Sequence, residues 1–345
     1  MSFLCEIPPE NRRENQQVDA LLRQEGIRRD AHLDYTCGLF DDDWNLIATG
    51  SCFGNTIRCL AVSHDHQGEG LLNQVVSHLA EVQAQRGSTH LFLYTKCQSA
   101  KFFRDLSFCE IARVEGSLVF MENRPQGFSS YCAALEKTRR SGDAAAIVMN
   151  ANPFTLGHLH LVEQAAEENE TVHLFVLSEE AGPIPFSVRR ALVREGTAHL
   201  PNVICHDSGP YMISSATFPS YFLRDEDTAI LAHAALDLAV FSRIAAKLNI
   251  RRRYVGEEPA SHVTSLYNQV MAQRLPEAGI ACRIIPRLEA GGRIVSASTV
   301  RQAIHDGRLD QVRDMLPPAT LRFFTSPEAQ PVIRAIQAEK DVVHY

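Results

Sequence analysis

Two short stretches of the chain bring phosphate-binding residue types to the start of a helix. In "NANPFTLGHLHL", Asn150 to Leu161, an apolar run stops, turns at Asn152-Pro153 and gives way to Gly157 and His158. A helix that starts this way leaves backbone N–H groups without helical acceptors, and they favour a negatively charged oxygen. Thr155 and His158 add a hydroxyl and an imidazole to the same turn, while Gly157 leaves the backbone open to close approach. The second stretch is "GRIVSASTVRQAI", Gly292 to Ile304. Ser296 is placed to cap a helix, and Arg301 lies three residues beyond Ser298 on a neighbouring face. The hydroxyls of Ser296, Ser298 and Thr299, free N–H groups and a guanidinium together suit phosphate oxygens. Taken singly, His158 reads by default as a structural histidine and the second stretch as a capped helix with a surface arginine. The pair is much stronger than either.

The elements that must hold these stretches follow from hydrophobic periodicity. Ala144 to Met149 is an unbroken apolar run of strand length, and Leu161, Val162, Ala165 and Ala166 then recur at helical spacing. Strand patterns at Ala145–Met149, Val172–Leu177, Val203–His206, Arg253–Val255 and Ala281–Ile285 alternate with helical ones from Gly157 and over Ser187–His199, Asp227–Leu248 and Ser261–Leu275. That alternation predicts a parallel sheet with helices on both faces, and ligands beyond the carboxyl ends of its strands. The earlier part reads differently. An amphipathic helix over Asn15–Arg29 precedes "YTCGLF", "NLIATGSCF" and "IRCLAV", an antiparallel meander. After Gln67-Gly68-Glu69-Gly70 comes a helix with Leu71, Val75, Val76, Leu79 and Val82 on one side, then a strand, a short helix and a closing hairpin. Composition shifts between Asn123 and Gly142, so the boundary falls there: a mixed α/β domain over 1–135 and an α/β domain over 144–345.

Whole-chain properties narrow the function. At 345 residues, with 45% hydrophobic and 22% charged residues, the chain fits two globular domains. A formal net charge of -7 argues against a broad basic face and hence against nucleic-acid binding. Nine scattered cysteines with no Cys-x-x-Cys pair predict free thiols in a reducing compartment, so a cytoplasmic protein is expected. The start lacks an apolar signal core, and no later run approaches the roughly 18 residues of a membrane span. No protein metal site is expected, since His64-Asp65-His66 has no further ligands nearby. His160 is expected to point away from His158, and Arg189 and Arg190 are either phosphate ligands or part of a solvated helix face.

The motifs also carry resemblances. Thr155-Leu156-Gly157-His158 has the spacing of the His-x-Gly-His signature of adenylyl-transferring Rossmann-like enzymes, with Thr in the first position. Ser296 to Arg301 resembles the Ile-Ser-Ser-Thr-x-x-Arg motif of the same nucleotidyltransferase superfamily. This implies ATP as substrate, accompanied by Mg²⁺, with Thr155, His158 and Arg301 as catalytic residues. Asn152, Phe154, Gly157, Gly256, Glu257, Ser296, Ser298 and Thr299 would line the ATP site, with Glu257 or Glu258 either approaching the nucleotide or forming a plain acidic turn. The loop Gln67-Gly68-Glu69-Gly70 resembles the pyrophosphate loop of GNAT acetyltransferases, with Leu72 where that family has a small residue and Ser107 where a later motif has Gly. Gln67, Gly68 and Gly70 are thus candidates for holding a CoA-like group, against the plainer reading of a tight turn packed on the sheet.

With "ISSATFPSYFLRDED", "IRRRYVGEEPASHVTSLYN" and "IIPRLEAGGRIVSAS", the chain resembles the citrate lyase ligase family. The resemblance implies activation of acetate as acetyl-adenylate and transfer to the thiol of a CoA-derived prosthetic group, phosphoribosyl-dephospho-CoA, on the acyl carrier (gamma) subunit of citrate lyase. AMP and pyrophosphate would be released. The alternative with the same motifs is an adenylyltransferase that moves AMP from ATP to a phosphate monoester. The first domain is then expected to be a carrier-binding module.

Overall fold

A computed structural model describes residues 2–180, 182–214, 218, 219, 221, 223, 226–257 and 262–339. The chain divides into two compact units, Met1–Ser130 with Pro219–Ala232, and Tyr131–Phe218 with His233–Tyr345. The first unit therefore takes in a segment that the sequence boundary assigns to the second domain.

In the first unit β1 (Phe3–Glu6), α1 (Arg12–Gln24), β2 (Tyr35–Phe40), β3 (Leu46–Phe53) and β4 (Thr56–Val62) precede α2 (Leu71–Gln85). Then come β5 (Phe92–Lys96), α3 (Ala100–Asp105), β6 (Cys109–Val114), β7 (Leu118–Glu122) and α4 (Gly127–Glu136), the last reaching into the second unit. The seven strands lie in the order β1-β2-β3-β4-β5-β7-β6. The meander β1 to β4 is antiparallel, β4 and β5 run parallel through Thr56↔Phe92 and Ile57↔Leu93, and β5, β7 and β6 are antiparallel again. This is a mixed sheet. Leu71, Val75, Val76 and Leu79 of α2 repeat at helical spacing and pack on Cys37, Leu39, Ala48 and Ile57. The helix sits so close that a methyl on Gly50 would fall 2.6 Å from Val75 and 2.9 Å from Leu79. On the other side Val18, Leu21 and Leu22 of α1 cluster with Ile7, Phe40 and Tyr221, the last from the inserted segment.

The second unit runs β8 (Ala144–Met149), α5 (Leu156–Glu168), β9 (Val172–Val176), α6 (Phe186–Gly196), β10 (Val203–Asp207), α7 (Glu226–Leu248, this unit's part beginning at His233), β11 (Ile250–Gly256), α8 (His262–Glu277) and β12 (Ala281–Ile285). A two-residue hairpin pair, β13 (Glu289–Ala290) and β14 (Arg293–Ile294), leads into α9 (Ala297–His305), α10 (Pro318–Phe324) and α11 (Gln330–Ala338). The five long strands pair in parallel in the order β10-β9-β8-β11-β12, a Rossmann-like arrangement. Helices cover both faces. Tyr254 of β11 packs with Leu161 and Val162 of α5, whereas its neighbour Arg253 reaches Asp237 of α7, and successive strand side chains point to opposite faces. Helix α7 corrects one expectation: Asp227–Leu248 is long and apolar enough to cross a membrane, with a mean hydropathy of 1.6. Yet 72% of its most apolar 18-residue window is buried inside the protein, as for the core helix of a globular domain.

Candidate active site

Because β8, β9 and β10 step one way across the sheet and β11 and β12 the other, the chain direction reverses between β8 and β11. Open α/β sheets bind ligands outside the carboxyl ends of strands at such a point. A cavity of about 490 Å³ opens there, walled by Met149 at the end of β8, Gly256 and Glu257 at and after the end of β11, and Ile285 and Arg287 at and after β12. The first turns of α5 and α9 close it, bringing Thr155, Gly157 and His158 together with Ser296, Ser298, Thr299 and Arg301. The two motifs, about 140 residues apart in the sequence, thus share one cleft.

Thr155 caps α5. Its Oγ1 accepts the N–H of His158 at 3.4 Å, and Nδ1 of His158 accepts the N–H of Thr155 at 3.1 Å, with Oγ1 and Nδ1 2.9 Å apart. A backbone N–H can only donate, so Nδ1 carries the lone pair and the neutral ring holds its proton on Nε2. Desolvation, and then the charges of Arg287 and Arg301, push the imidazole down to about 4. At neutral pH His158 is an uncharged donor whose orientation the Thr155 cap fixes. Thr155 itself is fully buried and committed to that cap.

Gly157 does not adopt a left-handed conformation, and a methyl placed on it would lie 3.4 Å from the Val295 carbonyl oxygen, an ordinary contact. The fold itself does not demand glycine there. At α9, Ser296 stands at the N-cap position, but its hydroxyl bonds the Ser298 hydroxyl at 2.7 Å instead of a helix N–H. The first N–H groups of α9 therefore keep their capacity for an anion. Arg301 is only 2% exposed and donates to the carbonyl of Asn152, tying α9 to the loop after β8.

Other expected residues fall elsewhere. Phe154 is 0% exposed, belongs to the core with Leu161 and Val162, and stacks on the His158 ring; it supports the site from beneath. Asn152 is likewise buried behind the wall, with Oδ1 unpartnered among the described residues. Arg189 is not a phosphate ligand in this arrangement: it is buried and bonds the carbonyls of Ile184, Leu177, Glu179 and Asn150. Arg190 pairs with Asp207 at 2.9 Å. His160, expected to face away, also lines the cleft, which extends around the first turns of α5 instead of along one face. Glu258 lies outside the described residues. Arg287, whose Nε donates to the Glu257 carbonyl at 2.8 Å, is a cleft residue the motifs did not single out; its only signal was an arginine just past a strand end.

In the first unit Gln67, Gly68 and Gly70 form an exposed loop at the start of α2, with φ of 90° at Gly68 and 76° at Gly70. Both glycines are used for left-handed backbone, and a methyl on either would meet nothing within 4 Å. Ser107 adopts the same left-handed region, φ 66°, where the GNAT resemblance has Gly. All nine cysteines are free. Among the described residues no group of three or more His, Cys, Asp or Glu side chains is placed to hold a metal ion.

Residues 144–324 match the family described as the citrate lyase ligase C-terminal domain. The [citrate [pro-3S]-lyase] ligase of Escherichia coli K12 is 37% identical over 288 residues, 81% of this chain and 82% of its own length. That of Klebsiella pneumoniae is 36% identical over 312 residues, 89% and 91% of the two chains. Among solved structures, a Vibrio parahaemolyticus protein assigned as a nicotinate-nucleotide adenylyltransferase is 14% identical with a TM-score of 0.36, covering 56% of this chain and 95% of its own. A GNAT-family acetyltransferase of Staphylococcus aureus is 12% identical with a TM-score of 0.30, covering 35% and 98%. Identity that runs through both units and across four fifths of the Escherichia coli relative leaves one placement: the chain belongs to the citrate lyase ligase family of enzymes.

Proposed function

We propose that this enzyme activates acetate with ATP and passes the acetyl group to the thiol of the CoA-derived prosthetic group on the acyl carrier subunit of citrate lyase. The observation that carries the reading is the meeting of two helix N-termini across Gly157 and Val295, with His158, Arg287 and Arg301 on the wall. Such a cleft suits a triphosphate. The relatives' name supplies citrate lyase as the protein acted on.

In the first step a carboxylate oxygen of acetate forms a bond to the α-phosphorus. The bond from that phosphorus to the bridging oxygen breaks, and pyrophosphate leaves with the electron pair. Acetate is already ionised at neutral pH, so alignment and charge stabilisation suffice. Nε2–H of His158 donates to an α-phosphate oxygen without adding or losing a proton. Arg301, Ser298, Thr299 and the first N–H groups of α9 hold the β- and γ-phosphates and the departing pyrophosphate. Mg²⁺ carried on the triphosphate would neutralise its charge, and Glu257 is the carboxylate on the cleft wall that would meet it. In the second step the carrier's thiolate attacks the acetyl carbon and AMP leaves.

Exchange of labelled pyrophosphate into ATP tests this directly. Exchange that requires acetate and proceeds without carrier is expected. Exchange indifferent to acetate, together with transfer of AMP to a phosphate monoester, would replace this reading by the adenylyltransferase one.

A further inference from the structure

A second cavity, of about 160 Å³, adjoins the end of β8, and Val148, Met149 and Asn150 line both it and the larger cleft. Its remaining wall joins an apolar side, Leu177 and Ile213, to a polar one, Ser214, His233, Asp237, Arg253 and Tyr267. At about 30 Å³ per water molecule it has room for roughly five water-sized groups, so a ligand of four heavy atoms fits and a nucleotide does not.

The polar side is built and incomplete. Asp237 accepts from Arg253 at 3.2 Å and from the Tyr267 hydroxyl, so its charge is already matched. Nε2 of His233 donates to the Ile213 carbonyl at 3.1 Å, which leaves Nδ1 as the open position of a ring only 4% exposed. Nδ1 of His233, Nε of Arg253 and Oγ of Ser214 are all buried and have no partner among the described residues. Buried polar atoms ordinarily find partners, so three in one small cavity point to a missing one. A guanidinium N–H and a hydroxyl are donors, and the imidazole becomes a third on taking up a proton, which an entering anion favours. Tyr267 on α8, Asp237 on α7, Arg253 on β11 and Glu179 after β9 are the charged or titratable groups around that ring. The apolar side offers nothing to a polar ligand but accommodates a short alkyl group.

We propose that this cavity is the acid subsite: it holds a short-chain carboxylate, with its oxygens toward Arg253, Ser214 and His233 and its alkyl end against Leu177, beside the α-phosphate held in the larger cleft. The assignment rests on the adenylate reading above, and it names the residues that choose the acid. Leu177 sets the chain length.

The test is acid-dependent pyrophosphate exchange on the intact enzyme with acetate, propionate and butyrate, comparing wild type with Leu177→Ala, Ser214→Ala and His233→Gln. Leu177→Ala is expected to raise the butyrate-to-acetate rate ratio about tenfold, while the other two raise KM for acetate about tenfold. KM for ATP stays within about twofold in all three. Should Leu177→Ala fail to fold, the other two variants decide. Wild-type exchange with acetate, combined with unchanged acetate KM and chain-length preference in every folded variant, overturns the subsite and leaves the adenylate reading standing. Absence of acetate-dependent exchange in the wild type overturns both.

Discussion

In the proposed reaction His158 donates to phosphate as a neutral ring, and it is neutral because it is desolvated near the charges of Arg287 and Arg301 while its Nδ1 is committed to the Thr155 N–H. A triphosphate entering the cleft opposes the arginine charges, so the ring should titrate near 4 in the free enzyme and higher with ATP bound. Histidine NMR with and without a non-hydrolysable ATP analogue reads both values; a ring titrating at 6.5 in the free protein would remove the argument. His158→Ala should lower exchange by about 10²-fold without unfolding the protein. Gly157→Ala separates fold from ligand. The added methyl meets Val295 at an ordinary distance and the backbone needs no glycine. Its melting temperature without ATP should match wild type, whereas the rise that ATP gives should be largely lost, as differential scanning fluorimetry would report.

At the scale of elements, the end of β8 is held by Arg189 of α6. Its guanidinium reaches the Asn150 carbonyl at 2.8 Å, Asn150 Oδ1 at 2.9 Å, and the carbonyls of Leu177 and Ile184 at 2.8 and 3.1 Å. Arg189→Met keeps the bulk but strips these buried acceptors of a charged donor, at about 1–3 kcal/mol each before relaxation. Urea unfolding should show a loss of at least about 3 kcal/mol, with KM for both ATP and acetate raised, because Asn150 lines both cavities. A loss below about 1 kcal/mol would mean that the strand ends are held by something else. Sequence showed the strands and helices around this point, because periods of 2 and 3.6 are local signals. It also placed Thr155, Gly157, His158 and Arg301 in the opening turns of two helices, because a helix start is written in adjacent residues. It did not show that Thr155 and His158 bond each other, that Arg189 faces inward to carbonyls, or that Pro219–Ala232 joins the first unit. Each of these depends on contacts between residues whose spacing carries no period.

For the molecule as a whole, stability is tied to pH through histidines that are buried uncharged. His173 and His206, on neighbouring strands β9 and β10, share a hydrogen bond of 2.8 Å; a neutral pair needs one ring to donate and the other to accept. Burial pushes both down to about 4, with the second ring's charge adding to the effect at His173, and His158 is displaced as far. Unfolding frees each ring to return to its ordinary 6.5. Between these values the unfolded chain binds more protons than the folded one, so stability rises with pH there and falls as the solution is acidified. The cost is absent above about 6.5 and complete below about 4. Urea midpoints measured from pH 7.5 to 4.5 should therefore decline most steeply below 6.5. Replacing the pair, as in His173→Gln with His206→Asn, should flatten that decline even if it lowers the midpoint at pH 7.5. A decline of unchanged slope in the double variant would assign the acid sensitivity to other groups.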